Sequence, residues 1–469
     1  MIKRQAIIFI ILLFSSMLCQ AQHSITGKIK NANNEKLQGA SVFVVGSESL
    51  ATVTDYAGRY LLENIPPGDV TVKVTYLGYA DQTFSLTLER DELVDVDMQQ
   101  GLFQLENIEV VANKLEGRSP YAYGDYNKEQ IRFKNMAQDV PFLVEHTPSM
   151  VVTSDAGAGI GYTGMRIRGS DATRINVTIN GIPLNDSESH NVFWVDLPDF
   201  GSSVDRIQVQ RGVGPSTNGS GAFGGSVSLN TNYISQNPFV RGDFTIGSFG
   251  TMKQSVTLNT GLMNNRFIIE GRYSRIDSDG FIDRAASDLD SWYISAARVS
   301  EKSSIKINAF SGNERTFQAW NGVPEARFDG DLDALLVHFG NNSNGDYNTV
   351  QDSINLFSSG DSFNAYTYED QVDDYRQTHI QLFANSQLSE SVKLNLTGHY
   401  TKGRGFFEQF RFQDALSDYF PDDPDLNQLV SNLVRRRWLD NDFIGGIANI
   451  EYQPSSELVL TLGLSLIHI

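Results

Sequence analysis

Residues 166–230 read RIRGSDATRINVTINGIPLNDSESHNVFWVDLPDFGSSVDRIQVQRGVGPSTNGSGAFGGSVSLN. Three short runs inside this stretch alternate apolar and polar residues: 176–179, 204–210 and 226–229. That period is the signature of strands with one face turned inward. Asn180-Gly181 directly follows the first run, and this dipeptide suits a tight turn. From Gly212 to Gly225 six of fourteen residues are glycine, which lets backbone segments approach closely. The stretch predicts a small mixed domain with many loops and a modest core. Such a domain holds together better inside a larger wall than alone.

Upstream, residues 127–144 read as partly helical, with Ile131, Phe133, Met136, Val140 and Leu143 apolar and Pro141 and Pro148 as limits. Downstream, residues 236–469 are dominated by alternation. Met252, Val256, Leu258 and Leu262 alternate with Lys253, Ser255, Thr257 and Asn259. Similar runs lie at 266–273, 392–400 and 458–466, the last carrying five leucines at every second position. Short links are expected at 263–265 and 389–391, and long ones at 313–375 and 403–441. Long strands joined by alternately short and long connections read as a porin-type barrel rather than a soluble sandwich. About nine strands are expected, against ~22 in plugged transporters. The final run stops without a polar end, so the expectation is a truncated chain whose sheet has an open edge.

The N-terminus has the form of an export signal over residues 1–21: Lys3 and Arg4, an apolar run at 6–18, and cleavage after Ala21. That run is shorter than the ~20 residues a spanning helix needs, and Ser16-Met17-Leu18 is a poor lipobox ahead of Cys19. Cys19 is the only cysteine, so cleavage leaves no disulfide or zinc-thiolate chemistry. With 56 acidic against 37 basic residues and a formal charge of −19, a nucleic-acid partner is disfavoured. GVGPS at 212–216 lacks the Lys-Ser/Thr ending of a phosphate cradle. No serine sits in a nucleophile elbow. Nothing points to an enzyme, a metal site or a cofactor.

Between residues 24 and 100, runs at 25–29, 40–45, 51–53, 59–62, 70–76, 82–88 and 93–98 alternate with turn residues, which suggests a sandwich. The cues Gly39-Ala40, Thr54-Asp55 with Gly58, and Pro67-Gly68 resemble the carboxypeptidase-regulatory-like module, a non-catalytic transthyretin-like sandwich. Farther on, PSMVV (148–152), MRIRG (165–169), INGIP (179–183), VDRIQVQRG (204–212) and GAFGGSV (221–227) resemble, in order, the plug domain of TonB-dependent receptors.

The resemblance implies a mainly β chain. Its expected parts are a β-sandwich at 22–100, a TonB box and linker at 101–125, an α+β plug at 126–232, and the first part of a transmembrane antiparallel β-barrel at 233–469. It implies import across the outer membrane powered through TonB, with outer-membrane lipid and a small ligand as further partners. Glu106, Ile108, Val110 and Ala112 share one face of an alternating run and match the box, an extended peptide that pairs with TonB by strand addition. Arg166 and Arg168 are expected to pair with barrel-wall carboxylates and hold the plug. Tyr162, His190, Asn191 and Trp194 fall where apical plug loops would meet ligand. The glycine-rich 212–225 run resembles the ferric-siderophore branch rather than the glycan branch; cobalamin, haem and copper stay open. The 25–98 module has its own strand set and a linker behind it, the anatomy of a separate domain. Its deletion should leave outer-membrane insertion intact, as scored by membrane fractionation.

Overall fold

The structure is a computed structural model that describes residues 22–31, 34–47, 50–76, 79, 81–98, 122–214, 222–231, 235, 237–264, 266–300, 302–343, 347–455 and 458–468. The chain divides into two compact units, one up to Gln104 and one from Leu105. The expected export signal and the Glu106, Ile108, Val110 and Ala112 box lie outside the described residues.

The first unit is a sandwich of two sheets. Its strands are β1 (His23–Asn31), β2 (Ser41–Val44), β3 (Ala51–Val53), β4 (Arg59–Ile65), β5 (Gly68–Thr75), β6 (Gln82–Leu88), β7 (Glu92–Leu93) and β8 (Val96–Met98). One sheet has the order β4-β1-β7, with β8 also on β1, and the other β3-β2-β5-β6. Alternate residues of both sheets, among them Ile25, Ile29, Val42, Leu62, Val72, Val74 and Leu88, form its core. The Thr54-Asp55 cue has a structural role. Thr54 Oγ1 accepts from the Ala40 N–H and donates to the Leu37 carbonyl, while Asp55 accepts from the N–H groups of Ala57 and Arg59. The expected seventh strand is two strands. Between them, the Val94 carbonyl accepts from the Tyr60 hydroxyl at 2.8 Å, and Asp95 accepts from the Lys28 N–H at 2.8 Å.

In the second unit, the central domain comprises β9 (Tyr123–Asn127), α1 (Lys128–Lys134), α2 (Val140–Leu143), β10 (Met150–Ser154), β11 (Thr163–Ile167), β12 (Ile175–Ile179), β13 (Ile182–Pro183), β14 (Arg206–Arg211) and β15 (Gly225–Asn230). A five-stranded sheet has the order β13-β12-β15-β14-β9, and β10 and β11 form a separate hairpin. The three alternating runs of the sequence are the three central strands, β12 and β15 parallel and β14 antiparallel to β15. Asn180 and Gly181, at φ 54° and 81°, make the turn from β12 to β13. A capping box between Asn127 and Gln130 starts α1. The core gathers Ile131, Leu143, Val177, Trp194, Phe200, Ile207, Val209 and Val227.

The rest is a nine-stranded antiparallel sheet in sequential order: β16 (Phe239–Ile246), β17 (Met252–Asn259), β18 (Phe267–Ser278), β19 (Ser287–Val299), β20 (Ser303–Phe317), β21 (Val372–Ser389), β22 (Val392–Ala415), β23 (Val430–Ser455) and β24 (Leu458–His468). Among the described residues, β16 and β24 are its two edges and do not pair with each other. Its polarity is inverted relative to a soluble protein. In β17 the apolar Met252, Val256 and Leu258 are exposed while Lys253, Ser255, Thr257 and Asn259 are buried. Water-filled surroundings would oppose that arrangement; an apolar solvent outside and a polar filling inside favour it.

Two expected loops are corrected. Residues 403–441 are mostly strand, because β22 and β23 stay paired up to Ala415 and Val430. Aromatic and charged cross-strand contacts hold them, including Phe406 with Trp438 at 4.9 Å and Glu408 with Arg436 at 2.6 Å. In 313–375, both ends continue β20 and β21, and the middle folds into α3 (Glu325–Phe328), α4 (Leu332–Asn342) and α5 (Val350–Ser358). Short polar caps start the last two: Asp331 accepts from the Ala334 N–H, and Thr349 and Asp352 form a capping box. These helices pack a small core of Leu335, Tyr347, Leu356 and Phe363. The apolar positions are too few and irregular to read as helices from period alone.

Gly27 in β1 offers a sharp test of the sandwich, since a Cβ there would lie 1.8 Å from the Val94 carbonyl oxygen. Gly27→Ala should lower the unfolding free energy of the isolated 22–100 module by about 1–3 kcal/mol, the usual cost of overpacking, as measured by urea denaturation.

Candidate functional site

The first join of the central domain to the wall comes from a short stretch that sequence period leaves unmarked. After Trp194–Asp196, a 3₁₀ turn, Asp199 takes a left-handed conformation (φ 51°) and begins a second 3₁₀ turn, Phe200–Ser203. That conformation is uncommon outside glycine, and asparagine and aspartate tolerate it best. It delivers the Asp199 carboxylate to the wall.

Asp199 is 3% exposed and sits between two wall cations that are themselves buried. Lys253 Nζ of β17 is 2.5 Å from Oδ1, and Arg272 Nη1 of β18 is 3.2 Å from Oδ2. Ser274 donates to Oδ2 at 2.7 Å. Ser202 and the Asn135 amide donate to Oδ1 at 2.8 and 2.9 Å. Arg272 Nε also donates to Ser203 Oγ, and Lys253 to the Asn135 carbonyl. Burial alone would push the Asp199 carboxyl up; attraction to Lys253 and Arg272 outweighs it and holds the group at about 2.

A second join centres on Thr231, just after β15. Its N–H donates to Asn180 Oδ1 at 2.9 Å, and its hydroxyl accepts from the Tyr293 hydroxyl of β19 at 3.0 Å. Lys306 of β20 donates to its carbonyl, and Asn180 donates to Gln381 of β21 at 3.1 Å. The turn-forming Asn180 therefore also ties the central domain to the wall. A third join is acidic. The Tyr162 hydroxyl donates to Asp373 of β21, and buried Asp196 lies within electrostatic reach of Asp373 and Glu314. Burial first, then the charges of Asp373 and Asp186, pushes the Asp196 carboxyl well up. At Gly312 of β20 the two backbones approach closely: a Cβ there would fall 2.1 Å from the Asp196 carbonyl oxygen.

Arg166 and Arg168 do not make the expected contact. Both are exposed, and neither has a carboxylate within ion-pair distance among the described residues. Arg166 points away from the buried face of β11, and Arg168 lies beyond the strand end at φ 51°. The ionic join has the opposite polarity, an acid on the central domain and bases on the wall. Trp194 is buried in the core beside Leu197 and Phe200, so it packs rather than faces ligand. Tyr162 is committed to Asp373 and stacks edge-on to Trp320 at 5.5 Å. His190 is exposed at φ 59° and Asn191 is half-buried, both in a turn organised by Asp186. One signal for the missed cations was present: Lys253 and Arg272 fall on the polar, inward positions of their strands.

Comparison with known families places two domains on this chain. A carboxypeptidase-regulatory-like domain matches residues 25–111, and the TonB-dependent receptor plug domain matches residues 117–226. The central domain is a TonB-dependent receptor plug domain. Among solved structures, the chain is similar to the ferric-catecholate import receptor Fiu of E. coli K12 (TM-score 0.53, 13% identity, 74% of this chain and 49% of that one). It is similar to FpvA of P. aeruginosa, solved with pyoverdine and iron (0.53, 12%, 79% and 46%), and to the copper transporter OprC (0.52, 14%, 75% and 47%). These identities speak for a shared fold. The chain spans about half the length of the structures it matches. No curated protein matches the sequence.

The Asp199 centre makes a direct prediction. Asp199→Asn leaves two buried cations without a counter-charge and should cost about 3–5 kcal/mol, read as faster hydrogen exchange across residues 195–204. Adding Lys253→Met should recover part of the loss. Because the folded Asp199 group lies at about 2 against an ordinary 3.8, its contribution is present at neutral pH. It should fade as pH falls from about 4 through 2, and the Asp199→Asn variant should lack that dependence.

Proposed function

We propose that this chain serves TonB-dependent import across the outer membrane, with a ferric siderophore or related iron complex as cargo. The observation that carries the reading is the plug fastened to the polar face of a wall whose other face is apolar. A plug held by buried, paired and hydrogen-bonded charges is stable while closed. A modest displacement leaves those charges unpaired, so closed and displaced forms are discrete rather than graded. Such a join suits a gate worked by force. The export signal and the inverted polarity of β17 support placement in the outer membrane.

In this reading the box at Glu106, Ile108, Val110 and Ala112 adds a strand to TonB, and the pull is transmitted to the plug sheet through β9, its edge strand. Iron complexes are favoured over glycans by the glycine-rich 212–225 run, and ferric-siderophore receptors are among the folds the chain is similar to. His190 and Asn191 are the proposed ligand contacts that keep accessible atoms.

Val110→Pro removes a backbone donor from the pairing peptide. It should abolish energy-dependent uptake of radiolabelled iron chelate by cells while leaving chelate binding and binding-site number unchanged. Unchanged uptake would overturn the coupling assignment. Uptake of other cargo, with iron chelates ignored, would overturn the cargo alone.

A further inference from the structure

The outward face of the wall, read row by row across the strands, carries a feature that import does not use. Ile294, Ile380, Tyr400 and Ile444 are exposed, and the rows nearer the short turns add Ile269, Ile307, Leu382 and Leu396. Four residues farther along each strand every outward position of the row is polar. One register row contains Arg275, Asp290, Asn313, Arg376, Arg404 and Asp440. The next contains Asp277, Asp288, Arg315, Asp374, Phe406 and Trp438. Between them lies an open cleft of about 600 Å³ lined by both rows.

The charges in this cleft are unevenly matched. Asp288 is held by Arg275 at 3.0 Å, Asp374 by Arg315 at 3.2 Å, and Asp290 by the Asn313 amide at 2.7 Å. Glu314, which also lines the cleft, belongs to the buried inward row. That leaves Arg376 and Arg404, which are direct cross-strand partners. Like charges placed opposite each other destabilise a sheet. Among the described residues Arg376 donates to Asn313 alone and meets no carboxylate. Arg404 reaches Asp440 at 3.9 Å and is 69% exposed. Two guanidinium forks with unused donors, side by side, match the oxygens of a phosphate group. Exposed apolar side chains begin about four residues along the same strands, at Ile380 and Tyr400.

We propose that Arg376 and Arg404 form a binding site for the phosphate of a membrane lipid, whose acyl chains lie along the apolar rows that begin four residues along the same strands. The site rests on the outer-membrane placement but not on the identity of the cargo. The phosphate neutralises the like-charged pair, and Phe406 and Trp438 cover the glycerol or sugar end of the headgroup. A free phosphate would use the arginines but not the apolar rows.

The test is native mass spectrometry of the full chain released from micelles containing dioleoyl phosphatidic acid or dioleoyl phosphatidylcholine. We expect phosphatidic acid to be retained in preference to phosphatidylcholine. The R376Q/R404Q variant should weaken retention about tenfold or more, as expected for lost charge-assisted hydrogen bonds. K393Q, outside the cleft near a short turn, should change nothing, and R376K/R404K should be intermediate. Equal retention by R376Q/R404Q, equal retention of both lipids, or displacement of the lipid by excess inorganic phosphate would each overturn the lipid site. Membrane insertion is scored separately by flotation, so a failure of the outer-membrane placement is distinguished from a failure of the site.

Discussion

A carboxylate buried between two buried cations sets the terms for the rest of this molecule. Asp199, Lys253 and Arg272 are nearly inaccessible to water, and ions in that position are costly unless every charge and donor is matched. The matching groups come from both parts of the chain: Asn135 and Ser202 on the plug, Ser274 on the wall. The plug is therefore held in one register against the wall rather than by general apolar adhesion. Phe200, seated against Phe310 at 5.2 Å, adds contact area beside this centre.

The inverted polarity of the wall follows from the same requirement. Strands whose inward face must hydrogen-bond the plug carry Ser, Thr, Asn, Gln and two paired cations there beside a few large apolar residues such as Tyr293 and Phe310, and many of their other apolar residues are left for the outside. In a lipid setting both faces are then satisfied, and the alternation that would form a core in a soluble sheet forms a band. The lengths agree, since a membrane strand needs only ~9–11 residues while β22 and β23 extend over 24 and 26. Their distal parts stand clear of such a band and carry charged and aromatic pairs in place of aliphatic ones.

Much of this was legible residue by residue. The plug strands, the Asn180-Gly181 turn, the sandwich and the wall strands all rest on short-range periods and turn chemistry, which sequence displays directly. The three helices of the 318–371 insert were hidden because their stability comes from caps and a small shared core rather than a long apolar stripe. The join was misassigned for a different reason. Arg166 and Arg168 are conspicuous in a strand-like run, but a residue's partner across tens to hundreds of positions depends on how two sheets meet. Trp194 falls where an apical plug loop would meet ligand, yet the 3₁₀ turn it begins packs it into the core with Leu197 and Phe200.

The amino-acid order by itself determined the periods of the strands, the positions of the tight turns, the acidic balance and the wall's alternation. Each depends only on neighbours within a few residues. Which face of the wall turns inward, that Asp199 rather than an arginine fastens the plug, and that Arg376 and Arg404 stand opposite each other were decided only in the tertiary structure. Those outcomes depend on cross-strand register and on the meeting of the plug with the wall, and a shift of one residue would send every side chain of a strand to the other face.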